Sequence, residues 1–150
     1  MHHPCRIIIA VSQEFLIYLD MRTNVRVSAL VVNENKILLI HRFKNGDEYW
    51  VIPGGGVEDK ESLEEALKRE VREETSLDLV SFELLGSNKH EGHLHYFYKC
   101  ELAPGKPNIG GPELENSSKE NIYILEWIPV KDIDSLNIYP SLVKLYKNRF

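Results

Sequence analysis

The stretch Gly55–Leu77, GGVEDKESLEEALKREVREETSL, decides the fold because it joins a glycine-rich turn to an amphipathic helix. Its helical part is predicted over Glu61–Thr75, where apolar residues recur at helical spacing. Ser62, followed three residues later by Glu65, forms the signature of a capping box at a helix start. Pro53 and three glycines end the short strand that comes before. The stretch therefore predicts a strand, a glycine loop and a helix in that order.

The predicted helix carries acidic residues where apolar ones are expected. On a helical wheel, Glu70 and Glu74 fall inside the apolar stripe, and Glu73 lies at its edge. The apolar members of the stripe are Leu63, Ala66, Leu67 and Val71. Buried carboxylates that repel one another are costly unless a cation compensates them. Hard oxygen ligands suit Mg²⁺ or Mn²⁺. A solvated acidic face, the competing interpretation, describes Glu64 and Glu65.

With these residues in place, the stretch resembles the signature of the Nudix hydrolase superfamily, which includes MutT-like proteins. That signature reads G-x5-E-x7-R-E-U-x-E-E-x-G-U, where U is a bulky aliphatic residue. The matching residues are Gly55, Glu61, Arg69, Glu70, Val71, Glu73, Glu74 and Leu77. Ser76 departs from the family's glycine, which usually adopts a left-handed conformation. We expect this departure to cost on the order of 1 kcal/mol of stability without abolishing activity.

The resemblance implies a metal site. It implies that Glu70, Glu73 and Glu74 hold the metal, with the carbonyl group of Gly54 as a further ligand. The implied cofactor is Mg²⁺, with Mn²⁺ as the alternative. The metal would polarise the phosphate groups while water attacks one phosphorus, without a covalent intermediate.

Other positions of the signature are expected to brace this site. Gly55 is the glycine that opens the signature, and Glu61 and Arg69 are expected to form an ion pair between loop and helix. The general base is expected either within the signature or in a late loop. Glu120 is the first choice because it immediately precedes strand residues, with Glu113 and Glu115 as alternatives or as solvated charges.

Residues outside the signature are candidates for substrate contact. Arg26 and Arg42 are predicted to contact phosphate or base, with exposed surface arginines as the competing interpretation. His90, His93 and His95 form a group in which His93 and His95 share one strand face, so that both zinc binding and pocket lining are open. Three aromatic residues are candidates for stacking a base or for core packing. They are Trp50, Tyr96 and Trp127.

The predicted activity is metal-dependent cleavage of the P–O–P bond of a nucleoside diphosphate derivative. A nucleoside or deoxynucleoside triphosphate, including an oxidised purine nucleotide, is the first choice of substrate. The ADP-ribose subgroup tends to carry a proline some sixteen residues past the signature, and this chain has none between Leu77 and Pro104. The alternatives are a dinucleoside polyphosphate, an RNA 5′ end, or a nucleotide-sensing module that does not cut its ligand.

Composition sets the frame for these predictions. The chain has 150 residues and a net charge of −5, which fits one domain and disfavours nucleic-acid and anionic membrane partners. Two cysteines form no disulfide framework, so a reducing cytoplasm is expected. We expect an α/β fold of the Nudix type, an α/β/α sandwich with a mixed sheet between helices, and both a monomer and a homodimer are open. Residues 22–150 form the predicted domain, closed by a helix within Leu136–Arg149, and residues 1–21 an extension or extra strand.

Overall fold

The computed structural model describes residues 24–111, 114 and 116–150. The extension predicted for residues 1–21 lies outside the described part of the chain, so that division remains a prediction. Across the described residues, no helix combines the length and the apolar character that a membrane crossing requires.

Within the described residues, eight strands, one α-helix and two 3₁₀ helices make up the regular structure. The strands are β1 (Val25–Asn33), β2 (Lys36–Lys44), β3 (Asp47–Val51), β4 (Gly54–Gly56), β5 (Leu79–His90), β6 (His93–Leu102), β7 (Asn121–Pro129) and β8 (Ile138–Tyr139). The α-helix, α1, spans Leu63–Thr75, and the 3₁₀ helices span Val130–Ser135 and Ser141–Arg149.

The sheet is mixed and places β1 at its centre. Its main path runs β5-β6-β1-β2-β3-β8, with β4 paired to β1 and β7 paired to β2. The β1–β6 and β3–β8 pairs are parallel, whereas the other strand pairs are antiparallel. Because β1 pairs with β4 on one side and with β6 on the other, Arg26 lies between Gly56 and His95.

Side chains of the sheet bury against helical segments on both faces. Val27, Ala29 and Val31 of β1 pack with Ala66 and Val71 of α1 in one core cluster. The alternate faces of β1 and β2, including Leu30 and Leu39, pack against the two 3₁₀ helices through Ile133 and Val143. This layering confirms the predicted α/β fold with a mixed sheet between helical layers.

The closing helix predicted within Leu136–Arg149 is present, but it is a 3₁₀ helix that begins only after Pro140, because Ile138–Tyr139 pairs with β3. Proline has no N–H group and restricts the residue before it, which prevents one continuous helix over the whole range. A tight hairpin turn joins β2 to β3. Asn45 and Gly46 both have positive φ there, as Asn-Gly turns require.

Candidate active site

Local sequence fixes where α1 begins, and so the direction in which its acids point. Ser62 caps the helix, and its Oγ accepts a hydrogen bond from the Glu65 amide at 3.0 Å. The Glu65 carboxylate in turn accepts a hydrogen bond from the Ser62 amide at 3.2 Å, which confirms the predicted capping box. The buried side of the helix then consists of Ala66, Leu67 and Val71, with Glu74 and Thr75 buried beside them.

Two carboxylates of α1 lie against the glycine strand β4. Glu74 is only 3% exposed, and its Oε2 accepts a hydrogen bond from the Gly54 amide at 3.2 Å. The Glu70 carboxylate covers Gly55 so closely that a Cβ atom there would lie 2.4 Å from Glu70 Oε1. Glycine is therefore required at position 55 by the close approach of the Glu70 carboxylate and not by a turn conformation.

Arg69 braces the loop before the helix against the helix itself. Its guanidinium donates to both carboxylate oxygens of Glu61, at 2.7 and 2.9 Å, and to the Gly56 carbonyl at 3.1 Å. The ion pair expected between Glu61 and Arg69 is thus present. The hydrogen bond from Arg69 lowers the pKa of Glu61, and the same contact raises the pKa of Arg69, so both groups stay charged.

Arg69 also reaches the acids proposed to hold metal. Its Nη1 lies 2.9 Å from Glu70 Oε1 and 3.6 Å from Glu73 Oε2. Among the described side chains, no three potential ligands converge on one point. The donor chemistry nevertheless fits a hard divalent cation, since Glu70, Glu73 and Glu74 offer carboxylate oxygens beside a strand without side chains. The Glu70 carboxylate occupies the space that a Cβ of residue 55 would fill, so only glycine lets this carboxylate approach the strand so closely.

The Gly/Pro-rich loop after β6 packs on the end of α1. Ser76 ends the helix in the left-handed conformation expected from the family's glycine, at φ 65°. Its Oγ donates to the Asn108 carbonyl at 2.9 Å, and the Asn108 amide donates to the Thr75 carbonyl at 2.8 Å. Gly110 and Gly111 follow so closely that added Cβ atoms would approach Glu73 to within about 3 Å. The loop therefore reaches the edge of the acidic group.

Glu120 lies at a different place from the acids of α1. Its carbonyl accepts a hydrogen bond from the Asn45 amide at 3.0 Å, and its carboxylate contacts Ser118 Oγ at 3.5 Å. Both contacts belong to the end of the sheet where β2 and β7 meet. These contacts place Glu120 at the junction of β2 and β7, and its catalytic role stays a prediction. The alternatives Glu113 and Glu115 lie outside the described residues.

A cleft of about 300 Å³ opens on the far side of β4 from these contacts. Its wall includes Arg26 and the three histidines of the β5–β6 hairpin, together with Gly54 and Gly55. The lining is Arg26, Val27, Ser28, Val51, Ile52, Gly54, Gly55, His90, Glu91, His93, His95, Tyr139, Pro140 and Ser141. The glycine strand thus borders both the carboxylates of α1 and an open cleft.

The histidines line this cleft and do not form a metal cluster. The rings of His93 and His95 lie on the same strand face, 6.1 Å apart and edge to face, as their spacing predicted. Burial, with Arg26 as the next cause, lowers the pKa of His95, so this ring is neutral at pH 7. Zinc ligation, one of the two interpretations of these residues, finds no three-ligand group in the described part of the chain.

Other predicted contacts lie away from the cleft. Arg42 stacks over the Tyr123 ring at 3.7 Å and donates to Asn121 Oδ1 at 2.6 Å, between β2 and β7. Trp50 stacks on His41 at 4.2 Å in the core that faces the 3₁₀ helices. Tyr96 and Trp127 pack against the core under α1. The core-packing interpretation therefore describes all three aromatic candidates.

Part of the cleft comes from residues that carry no signal in the sequence. Tyr139, Pro140 and Ser141 follow the helix signature by more than sixty residues, and only the parallel β3–β8 pair brings them here. The adjacent Tyr139-Pro140 bond is cis. No pattern of neighbouring residues in the sequence therefore predicts that these three residues line the cleft.

A mixed sheet whose glycine strand receives carboxylates from one capped helix defines a Nudix domain. Residues 22–148 match the NUDIX domain family. A Nudix hydrolase of Bacillus subtilis, YvcI, is 34% identical over 128 residues, covering 83% of this chain and 75% of its own length. The chain therefore belongs to the Nudix hydrolase family, which confirms the resemblance of its signature.

Further similarities agree on the fold and differ in extent. A Nudix hydrolase of Caenorhabditis elegans is 31% identical over 77% of this chain, which spans only 32% of that protein. The MutT structure from Aliivibrio salmonicida and Vibrio cholerae superimposes with a TM-score of 0.63 at 19% identity, covering 83% of this chain and 92% of that one. Over shorter stretches, the chain is 35% identical to the CTP pyrophosphohydrolase of Escherichia coli and 41% identical to the nucleoside triphosphatase NudI of Salmonella agona.

Proposed function

We propose that this chain is a divalent-metal-dependent pyrophosphohydrolase that cleaves the P–O–P bond of a nucleoside diphosphate derivative by attack of water. One observation carries the proposal. Glu74, which is only 3% exposed, and Glu70 both contact the glycine strand β4, and the same strand lines an open cleft. Buried acids beside a ligand-sized opening are costly for folding alone, which favours a functional role.

The acidic residues of α1 are the proposed metal ligands, whereas Arg69 of the same helix keeps the preceding loop in position. Glu70, Glu73 and Glu74, with the Gly54 carbonyl, are the proposed ligands of Mg²⁺, with Mn²⁺ as a substitute. When bound, such a cation polarises phosphate oxygens and stabilises the charge of the leaving group. Arg69 holds Glu61 and the loop at fixed distance from the acids, so the glycine strand keeps its position during turnover.

A nucleoside triphosphate, with oxidised purine nucleotides included, is the proposed substrate. Two similar proteins, from Escherichia coli and Salmonella agona, are named for nucleoside triphosphate substrates. The volume of the cleft, about 300 Å³, lies at the lower end of ligand pockets and suits a single nucleoside better than a second one.

The general base remains a proposal with three candidates in the late segment. Glu120 is exposed and contacts Ser118 in the segment that precedes β7, so a movement of that segment would carry it toward bound substrate. Glu113 and Glu115 follow Gly111, which packs on Glu73. We expect the glutamine variant of the true base to lower kcat by about 10²–10⁴-fold with little change in KM. If none of the three variants does so, the base belongs to α1.

Product analysis on a panel of nucleotides tests the proposal. The panel contains nucleoside triphosphates, 8-oxo-purine nucleotides, ADP-ribose, a dinucleoside tetraphosphate and a triphosphorylated RNA. Reactions with Mg²⁺ run beside reactions with excess chelator, and products are separated chromatographically. We expect a nucleoside monophosphate and pyrophosphate from a triphosphate, lost on chelation. Binding without cleavage across the panel would indicate a nucleotide-sensing module instead.

A further inference from the structure

The cleft beside β4 combines features that suit a nucleobase better than a phosphate. Its walls mix apolar side chains, such as Val51 and Ile52, with the rings of His93, His95 and Tyr139. Tyr139 is 53% exposed, and its ring contacts the Tyr49 ring edge to face at 5.6 Å. Flat aromatic ligands gain stability from such walls, and the described lining residues supply a single arginine or lysine rather than a cluster of cations for a phosphate group.

One cation is available to read the edge of such a base. Among the described residues that line the cleft, Arg26 is the only arginine or lysine. No described carboxylate forms an ion pair with it, whereas Arg69 and Arg72 each form ion pairs elsewhere. Its strand position, between Gly56 of β4 and His95 of β6, is fixed by pairing on both sides. The backbone of Arg26 is therefore held in place by the sheet, and its guanidinium forms no ion pair with a described carboxylate.

We propose that this cleft is the nucleobase subsite and that Arg26 selects bases presenting two adjacent acceptors, as guanine does through O6 and N7. Arginine donates hydrogen bonds and accepts none, so it matches an edge with two acceptors. Adenine offers N7 beside an amino donor at N6 and leaves one arginine donor unmatched. The substrate class is thus a guanine-type nucleotide, with His93 and His95 as ring walls. This assignment rests on the proposed function and adds the identity of the base to it.

Nucleotide selectivity before and after replacing Arg26 tests the assignment. We expect wild-type kcat/KM for GTP to exceed that for ATP by about tenfold, the order that one bidentate arginine contact supplies. Arg26→Gln should remove or reverse this ratio, because glutamine can pair with N6 and N7 of adenine. Arg149→Gln, an exposed arginine that does not line the cleft, is the matched control and should keep the wild-type ratio. Thermal melting checks that both variants are folded.

Selectivity separates base reading from a merely structural role. If Arg26→Gln lowers both rates equally and leaves their ratio unchanged, or if the wild type prefers ATP, the assignment is wrong. Calorimetric binding of GMP and AMP to the wild type and to Arg26→Gln provides a readout without turnover. A GMP preference that depends on Arg26 supports the subsite even if no nucleotide is hydrolysed, in which case only the proposed function fails. If nucleotides are hydrolysed but GMP is not preferred over AMP, the proposed function stands and the assignment of Arg26 to base recognition is wrong.

Discussion

At the scale of single residues, the site depends on where a side chain is missing as much as on where one is present. Gly55 lies under the Glu70 carboxylate, and the Gly54 amide donates to Glu74. The wheel placed Glu70 and Glu74 on the apolar side of α1, and Glu74 is indeed buried there. A helical wheel carries no distances between side chains, however, so the ion pair between Arg69 and Glu70 could be found only in the structure.

Gly55→Ala should separate activity from stability. Its Cβ would meet only the far end of the Glu70 side chain, which can turn aside at little cost in folding free energy. The displaced carboxylate should lower kcat by about 10²-fold, since small misplacements at a reacting site are that costly. Gly56→Ala is the control because nothing lies within 4 Å of the added Cβ. Equal rates for the two variants in a nucleotide hydrolysis assay would contradict the role given to Gly55.

Glu61 should make the stability of the domain depend on acid. Its hydrogen bond with Arg69 lowers its pKa below the ordinary 4.5, so folding favours the ionised carboxylate. That contribution is fully present above pH 4.5 and is lost as the pH falls through the lower value in the folded state. In urea unfolding between pH 7 and pH 3, Glu61→Gln should be less stable than wild type at pH 7 and should lose less stability on acidification. Parallel pH profiles for the two proteins would refute this.

At the scale of elements, the helix was the most predictable part because its signals are local. Ser62, Glu65 and the apolar spacing specify α1 without help from the rest of the chain. The closing helix was predictable only as lying within Leu136–Arg149, because its start depends on the pairing of Ile138–Tyr139 with β3. Pairing across the sheet decides such short segments, and spacing within a segment carries no record of it.

Ser76 offers a test of strain at the end of α1. Ser76→Gly relieves a left-handed residue, whereas Ser76→Ala does not, and both remove the hydrogen bond to Asn108. Because that loss is shared, the glycine variant should be the more stable of the two by about 1 kcal/mol in urea unfolding. Equal stability of the two variants would show that the left-handed conformation costs nothing here.

At the scale of the whole molecule, the layers followed from the sequence and the cleft did not. A glycine turn, a capped helix and strands on either side predict a sheet covered by a helix. The cleft needs Arg26 from β1, the β5–β6 hairpin and Tyr139 from β8 in one place. Parallel pairing of β1 with β6 and of β3 with β8 creates that meeting, and neither pair has a local signal. Arg42 was a candidate on the same grounds as Arg26, and only pairing with β7 distinguishes them.

A chain shortened to begin at Met21 should retain the fold and the activity. The family match begins at residue 22, and β1 begins at Val25 and pairs with β4 and β6. We expect kcat/KM within about twofold of the full chain in the assay used for the panel, and the same melting temperature to within a few degrees. A shortened chain that is folded and inactive would show that residues 1–20 complete the site.

The central claim is that Glu70, Glu73 and Glu74 of α1 hold the divalent cation that hydrolysis requires, and direct Mn²⁺ binding tests it most closely. Titrations followed by electron paramagnetic resonance would compare wild type with Glu70→Gln, Glu73→Gln and Glu74→Gln, with the exposed Glu64→Gln as control. We predict that Mg²⁺ competes for the wild-type site. Glu74→Gln should weaken Mn²⁺ binding at least tenfold, by roughly 1.4 kcal/mol or more, while Glu64→Gln leaves it unchanged. Wild-type Mn²⁺ affinity in all three variants of the site, with folding intact, would contradict the account.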